Sequence, residues 1–434
     1  MKRITKGAAL MLALSVPLTL GLSGCTGPSE GDGGEGSDDQ TLTVWAWDPA
    51  FNIAALEAAE KIYQEDHHDF ELDIVETPWE DLQTKLTTLA QSRQLDQLPD
   101  IFLMQSNAFQ KNVINYPDLF SEISSDAVDF SEFPESVVDY SSVDGVHYGV
   151  PFDSGTAITA LRTDVLEQAG YTIDDFTDIT WPEFIEKGSD VLAKTGHALL
   201  SGQAGSSDMI MMILQSAGAS LFDADGNPTI TDNDALLEAI DVYAQLVEAG
   251  IFVEVNSWDE YIGSFVNGDV AGTINGVWIV GSIQSAEDQS GSWAVTNLPK
   301  LAGVSGATNY SANGGSSWGI SAEADVDLAT DFLASTFAGS KELYDEILPS
   351  TGAVANWVPA GDSDVYSQPS EFFGGQAIFA DVVTFGAEVP SNNTGVYYYE
   401  GRDAVSAAIT QILSGADPAT ALEEAQANVE FAMK

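Results

Sequence analysis

A chain of 434 residues, 44% hydrophobic and 10% aromatic, has the means to bury a core in two or three domains. Its 67 acidic side chains against 14 Lys and Arg leave a net charge of −53, which excludes nucleic acid and anionic lipid heads as charge-bound partners. The single cysteine excludes an internal disulfide and any zinc site built from paired cysteines.

Lys2, Arg3 and Lys6 precede an apolar run over residues 8–22, the layout of a secretory signal. Pro17 interrupts that run, and at about 15 residues it falls short of the roughly 20 a bilayer span requires. The run ends in Leu22-Ser23-Gly24-Cys25, which resembles the lipobox of bacterial lipoproteins. That resemblance implies cleavage after residue 24 and acylation of Cys25. Several lipid chains together hold a protein stably where one does not. Loss of residues 1–24 moves the charge from −53 by three, to −56. Residues 25–40 then form the lipidated cysteine and a tether of Gly, Ser and acids with no large apolar residue. So acidic a surface repels itself at low salt and is relieved by screening, which suits a salt-tolerant source.

From Thr41 the pattern turns to alternating elements. Thr41-Leu-Thr-Val-Trp-Ala-Trp47 predicts a strand, residues 52–64 a helix, and residues 71–76 a second strand. Residues 81–93 predict another helix, with Leu82, Leu86 and Leu89 on one face, and residues 101–105 a third strand. This β-α-β-α-β order implies a parallel sheet, whose ligands lie beyond the carboxyl ends of the strands. Asp144-Gly145 marks a tight turn before short strands at 148–152 and 157–161. Helices follow at 163–168, from Pro182 to near Gly196, at 234–248, around 403–413, and at 418–431. The fold class is α/β throughout.

Motifs for chemistry are sparse. The chain has no phosphate-binding Gly-x4-Gly-Lys-Ser/Thr loop, no Gly-x-Ser-x-Gly elbow and no His-Glu-x-x-His. His67, His68, His147 and His197 are scattered, so no metal is expected. Asp223-Ala-Asp225-Gly226-Asn227 has its glycine in the wrong place for a calcium loop and reads as a hairpin turn. Phe152-Asp153-Ser154-Gly155-Thr156 matches the aspartic-protease signature, but that chemistry needs two such turns and the chain supplies one. No cofactor is expected.

Aromatic residues carry more information. Of the nine tryptophans, Trp79, Trp181 and Trp293 read as core, whereas Trp47, Trp278 and Trp318 stand beside polar or glycine-rich turns. A ring covers the C–H face of a sugar, and Asp, Asn, Gln and Glu side chains bind its hydroxyls. In order and spacing, Pro99-Asp-Ile-Phe, Asp144-Gly-Val-His-Tyr-Gly-Val-Pro-Phe-Asp153, Trp181-Pro-Glu-Phe, Phe265-Val-Asn-Gly-Asp-Val-Ala271, Ile274-Asn-Gly-Val-Trp278 and Asn313-Gly-Gly-Ser-Ser-Trp-Gly-Ile320 resemble one family. It is the maltose-binding-protein-like group of extracellular solute-binding proteins that serve ABC sugar importers.

The resemblance implies a two-lobed, periplasmic-binding-protein-like fold of type II, with a hinge crossed three times and a ligand cleft between the lobes. The crossings are expected near residues 151–155, 268–273 and 313–318. Residues 41–151 with 272–313 would form the first lobe, and 152–271 with 314–434 the second. Trp47, Asp48 and Asn107 would be first-lobe contacts, Asp153 a contact beside the first crossing, and Trp278 the stacking ring. Asn313, Gly314, Gly315 and Trp318 would line the third crossing, with Tyr399 and Glu400 completing the site. The implied function is capture of a di- or oligosaccharide by lobe closure, with galactosides such as lactose favoured by Phe372-Phe-Gly-Gly-Gln376 and Tyr397-Tyr-Tyr-Glu400. A membrane permease is the implied partner, the protein acting as a monomer outside the cytoplasm and anchored at Cys25. A surface-anchored glycoside hydrolase is the alternative, and an adhesion protein a third reading.

Overall fold

The structure, a computed structural model, describes residues 40–205, 207–223, 225–390 and 395–434. The signal segment, Cys25 and the tether up to residue 39 lie outside the described residues. β1 (Thr41–Ala46), α1 (Ala54–Tyr63), β2 (Glu71–Glu76), α2 (Trp79–Ser92) and β3 (Ile101–Gln105) form the expected alternating unit. β2 and β3 flank β1 in parallel. α1 buries Ala55, Leu56, Ala59 and Tyr63, and α2 buries Leu82, Leu86 and Leu89, the apolar stripes read from their spacing. The chain continues through α3 (Ser106–Asn115), a short α4 (Glu135–Val138), and a hairpin of β4 (Ser142–Val143) and β5 (Val146–His147) turned at Asp144-Gly145. β6 (Gly149–Asp153) ends this first pass.

The second lobe begins at β7 (Ala157–Arg162), followed by α5 (Thr163–Ala169) and α6 (Trp181–Thr195). Both helices stop at left-handed glycines, Gly170 at φ +87° and Gly196 at φ +81°. A capping box between Thr180 and Glu183, with Pro182 in the first turn, opens α6. Then come β8 (Leu200–Gln203), α7 (Asp208–Ser216), α8 (Asp234–Glu248), β9 (Phe252–Val255), α9 (Trp258–Val266), β10 (Gly272–Gly276), α10 (Val280–Gln284) and β11 (Trp293–Thr296). β10 and β11 pair antiparallel with β7 on either side, and β8 pairs parallel with β9.

The chain then returns. β12 (Ser316–Ile320) inserts antiparallel between β3 and β6, so the first sheet runs β2-β1-β3-β12-β6. α11 (Val326–Ser335) and α12 (Lys341–Thr351) pack with α1 around Phe70, Phe332 and Tyr344. A last passage leads to α13 (Ile378–Ala387), α14 (Tyr398–Leu413) and α15 (Pro418–Ala432). Val405, Ile409, Leu422 and Val429 of the last two helices share the core of α6, α7 and α8.

The lobe boundaries therefore differ from the expected ones. Residues 272–313 belong with the second sheet through β10 and β11, and residues 314–351 with the first through β12, α11 and α12. The passes between lobes lie at residues 154–156, 312–315 and 352–356, side by side. Asn313 donates its N–H to the Gly155 carbonyl at 2.7 Å, and Ser154 donates to Val354 at 2.9 Å. No pass occurs at residues 268–273. Gly268, at φ +77°, follows the end of α9, and Gly272 is pressed so close to β7 that a Cβ would come 2.5 Å from the Ala160 carbonyl oxygen. These glycines serve a helix end and a packing contact, and neither is at the hinge.

Candidate functional site

The cleft between the lobes follows from where the elements end. β3 runs out at Gln105, α3 starts there, and the pass at 312–315 lies against both, with the Ser106 N–H on the Gly315 carbonyl at 2.9 Å. α7 faces this junction from the second lobe. The resulting cavity, about 540 Å³ with the open solvent at its mouth included, lies between the lobes. Asn107 and Tyr140 line it from the first lobe, Gln215, Leu221 and Tyr398 from the second, and Asn313 and Gly314 from the pass between them. A second cavity of about 410 Å³ opens on the other side of α7, at the carboxyl ends of β8 and β10. Gln203, Asp208, Trp258, Tyr261 and Asn275 line it.

Trp278 stands at the junction of the two. Its Nε1 donates to the Asn313 carbonyl at 2.9 Å, and its ring lies 5.9 Å from that of Trp258 at an interplanar angle of 36°. Asn313 in turn donates from Nδ2 to Asn275 Oδ1 at 2.8 Å, and Asn275 donates to the Tyr261 hydroxyl at 3.0 Å. Gln215 Oε1 accepts from the Ala312 N–H at 3.0 Å. The indole, the amides and the pass are thus fixed to one another, which holds the wall in shape before a ligand arrives. Gly314 and Gly315 hold φ of +83° and +89°, and a Cβ on Gly155 would meet the Asn313 carbonyl oxygen at 2.4 Å. The hinge needs these glycines for backbone conformation and close approach.

The expected site residues divide. Asn107, Asn313 and Gly314 line the cleft, and Trp278 lines neither cavity but donates to the carbonyl of Asn313 in the first one's wall. Trp47 is half-buried with its ring 5.1 Å from that of Trp79, and borders neither cavity. Asp48 is buried and caps the turn at Pro49–Ile53, its Oδ1 accepting from Ala50 at 2.9 Å, while burial pushes its carboxyl up.

Asp153 is only 2% exposed and belongs to the hinge. It accepts the Ser316 hydroxyl, and its own carbonyl accepts Asn356 Nδ2 at 2.6 Å. Burial pushes its carboxyl up to about 7, against the smaller opposing effect of the Ser316 hydrogen bonds. Gly315 belongs to the same pass. Trp318 is fully buried in β12, with its ring 5.4 Å from Phe152 and 5.1 Å from Phe337. With no exposed surface and both aromatic neighbours packed on the sheet face, this ring is core. Tyr399 and Glu400 make contacts to the first lobe, described below.

Several residues that line the cavities were not singled out from sequence, among them Tyr140, Gln215, Tyr398 and Trp258. Tyr398 lines the first cavity, whereas its neighbour Tyr399 does not. Successive residues on a helix point about 100° apart, so a run of three tyrosines leaves the choice open. Trp258 lines the second cavity, 38% exposed. Its place just past the carboxyl end of β9 is the signal that could have found it.

Bacterial extracellular solute-binding protein is the family whose model matches, over residues 58–372. A lactose-binding protein from Rhizobium radiobacter is 38% identical over 375 residues, 86% of this chain and 88% of the relative. Among solved structures, an ABC transporter associated binding protein from B. animalis subsp. lactis in complex with β-1,6-galactobiose superposes with a TM-score of 0.76. It is 17% identical, over 91% of this chain and 97% of that one. The galacto-N-biose-/lacto-N-biose I-binding protein of Bifidobacterium longum, in complex with lacto-N-biose, has a TM-score of 0.72 at 19% identity, over 92% and 98% of the two chains. Both structures share the two-lobed fold.

Proposed function

The chain belongs to the bacterial extracellular solute-binding proteins, and we propose that it captures a di- or oligosaccharide, a galactoside such as lactose foremost, for an ABC permease in the membrane. The observation that carries this reading is the pair of cavities walled by amides, Tyr398 and Trp258, with the indole of Trp278 bonded to the Asn313 carbonyl of one and 5.9 Å from the Trp258 ring of the other. An aromatic platform ringed by amide donors and acceptors suits a sugar's C–H face and its hydroxyls. Asn107, Tyr398, Gln215, Asn313, Gly314 and Trp278 are the proposed contacts, with Trp258 extending the platform for a second ring. The lactose-binding relative, 38% identical, favours galactose-containing sugars.

Closure over the ligand supplies the work of capture. Asn107 of α3 and Tyr398 of α14 wall one cavity from opposite lobes, and a ligand that touches both favours the closed state. Glycoside hydrolysis would need two carboxyl groups across the scissile bond. Among the described residues, no carboxylate lines the cavity between the lobes. At the N-terminus, the proposal includes acylation of Cys25, anchorage of a monomer to the outer face of the membrane, and the acidic tether as a spacer.

A titration of the mature protein with galactose, lactose, β-1,6-galactobiose and maltose, followed by Trp fluorescence and calorimetry at high salt, tests the reading. Saturable binding of a galactoside recovered intact supports it. Binding of maltose alone would move the sugar class, and cleaved product would replace binding by turnover.

A further inference from the structure

α14 is a second-lobe helix by its packing, with Val405, Ala408 and Ile409 in that lobe's core. Its first turn nevertheless reaches the first lobe. Tyr399 is 8% exposed and sits in the cluster of Leu86, Met104 and Phe109, and its hydroxyl donates to Gln105 Oε1 at the end of β3. The Arg402 guanidinium lies over the Tyr399 ring at 4.6 Å and stands 3.7 Å from Asp208 of α7. Glu400 pairs with Lys111 of α3, both side chains being about three-quarters buried. In a chain with 14 Lys and Arg against 67 acids, two cations are gathered at this one turn.

We propose that this turn is a clasp, in which Tyr399–Gln105 and Glu400–Lys111 bond lobe to lobe and stabilise the closed state without touching the ligand. This rests on the binding reading above only in its effect on affinity. The elements that wall the cavity also carry the clasp. On α3, Asn107 faces the cavity and Lys111 the clasp, while on α14 Tyr398 faces the cavity and Glu400 the clasp. Ser106 rests on the Gly315 hinge carbonyl, and Lys111 lies five residues further along α3, about 7.5 Å out at 1.5 Å per residue. The Glu400–Lys111 bond, set out from the hinge along α3, is the one of the two that stretches more as the lobes swing apart. The clasp therefore raises the closed fraction, and with it the apparent affinity for every ligand, by one common factor. Tyr399 and Glu400 are thus positioning residues.

The test compares wild type with Lys111→Met, Glu400→Gln, their double variant, and the charge-swapped Lys111→Glu with Glu400→Lys. Stopped-flow fluorescence gives the dissociation rates of lactose and β-1,6-galactobiose. Hydrogen exchange of segments 101–115 and 398–406 is measured without sugar. Each single variant should raise dissociation about fivefold, as loss of a partly buried ion pair implies. The factor should be the same for both sugars, the double variant should be no worse than a single one, and the swap should recover most of the loss. Both segments should exchange faster in the single variants. Factors that differ between the sugars would make Glu400 a ligand contact and overturn the clasp, as would additive single effects or unchanged rates. If wild type binds neither sugar, the galactoside reading fails. Hydrogen exchange then decides the clasp alone, and unchanged exchange overturns it.

Discussion

Asp153 offers a quantitative check on the hinge. Its carboxyl is buried beside the three passes and accepts from Ser316 at the start of β12, while its backbone carbonyl accepts from Asn356 of the third pass. Burial raises its pKa from 3.8 to about 7. Between those values the folded protein holds a proton that the unfolded chain has released, so stability falls as pH rises through this window. The contribution is fully present below the unfolded value and lost above the folded one. Integrated from pH 5 to pH 8, the loss is about 2.5 kcal/mol. For a body of this size, with an unfolding entropy of roughly 2.1 cal/mol/K per residue, that corresponds to about 3 °C in Tm. Asp153→Asn keeps the shape and the acceptor for Ser316 but cannot ionise. Many other acids titrate on this surface, so the quantity to follow is Tm of the variant minus Tm of wild type, by scanning calorimetry across pH 5–8 at constant high salt. It should grow by about 3 °C toward pH 8. A difference that stays flat with pH would refute the placement of this carboxyl in a dry hinge.

The two tryptophans with contrasting fates should separate cleanly. Trp278→Ala should weaken saccharide binding roughly thirtyfold with a modest loss of stability, since it removes the platform at the cleft. Trp318→Ala should cost about 3–5 kcal/mol of stability by chemical denaturation, with affinity unchanged where the protein is still folded. Gly155→Ala places a Cβ 2.4 Å from the Asn313 carbonyl oxygen and should force two hinge passes apart. The expected cost is about 1–3 kcal/mol, read from urea midpoints. A net charge of −53 should make Tm climb steadily with added salt, and a Tm insensitive to salt would contradict self-repulsion as the dominant surface term.

Local signals made most elements legible. The strand at 71–76 and the helix at 234–248 coincide with β2 and α8, because alternation and the 3.6-residue stripe are properties of the segment itself. The lobe boundaries were not legible, since they depend on pairings across more than a hundred residues. Only the register of β10 on β7 and of β12 on β3 shows which sheet each strand joins. Gly268 and Gly272 resemble hinge residues in sequence because a helix end and a close strand contact ask for the same residue.

Trp318 misleads for a related reason. Ser316, Ser317 and Gly319 around it suggest a loop, yet small residues are what a central strand needs beside Phe102 and Phe109. At Tyr397-Tyr-Tyr-Glu400 the cluster was found, but the cavity takes Tyr398 and the interface takes Tyr399, a distinction set by helix rotation. The place of Asn107, Asn313 and Gly314 in the cavity wall follows from signals visible in the sequence, a strand end and a glycine-rich pass.

Closure of this cleft on an intact galactoside is tested most directly by calorimetric titration of the mature protein with lactose at high salt. One-to-one saturable binding, with lactose recovered unchanged and binding weakened in Trp278→Ala, is the predicted result. No heat with lactose or any other galactoside, or binding that Trp278→Ala leaves untouched, would contradict it.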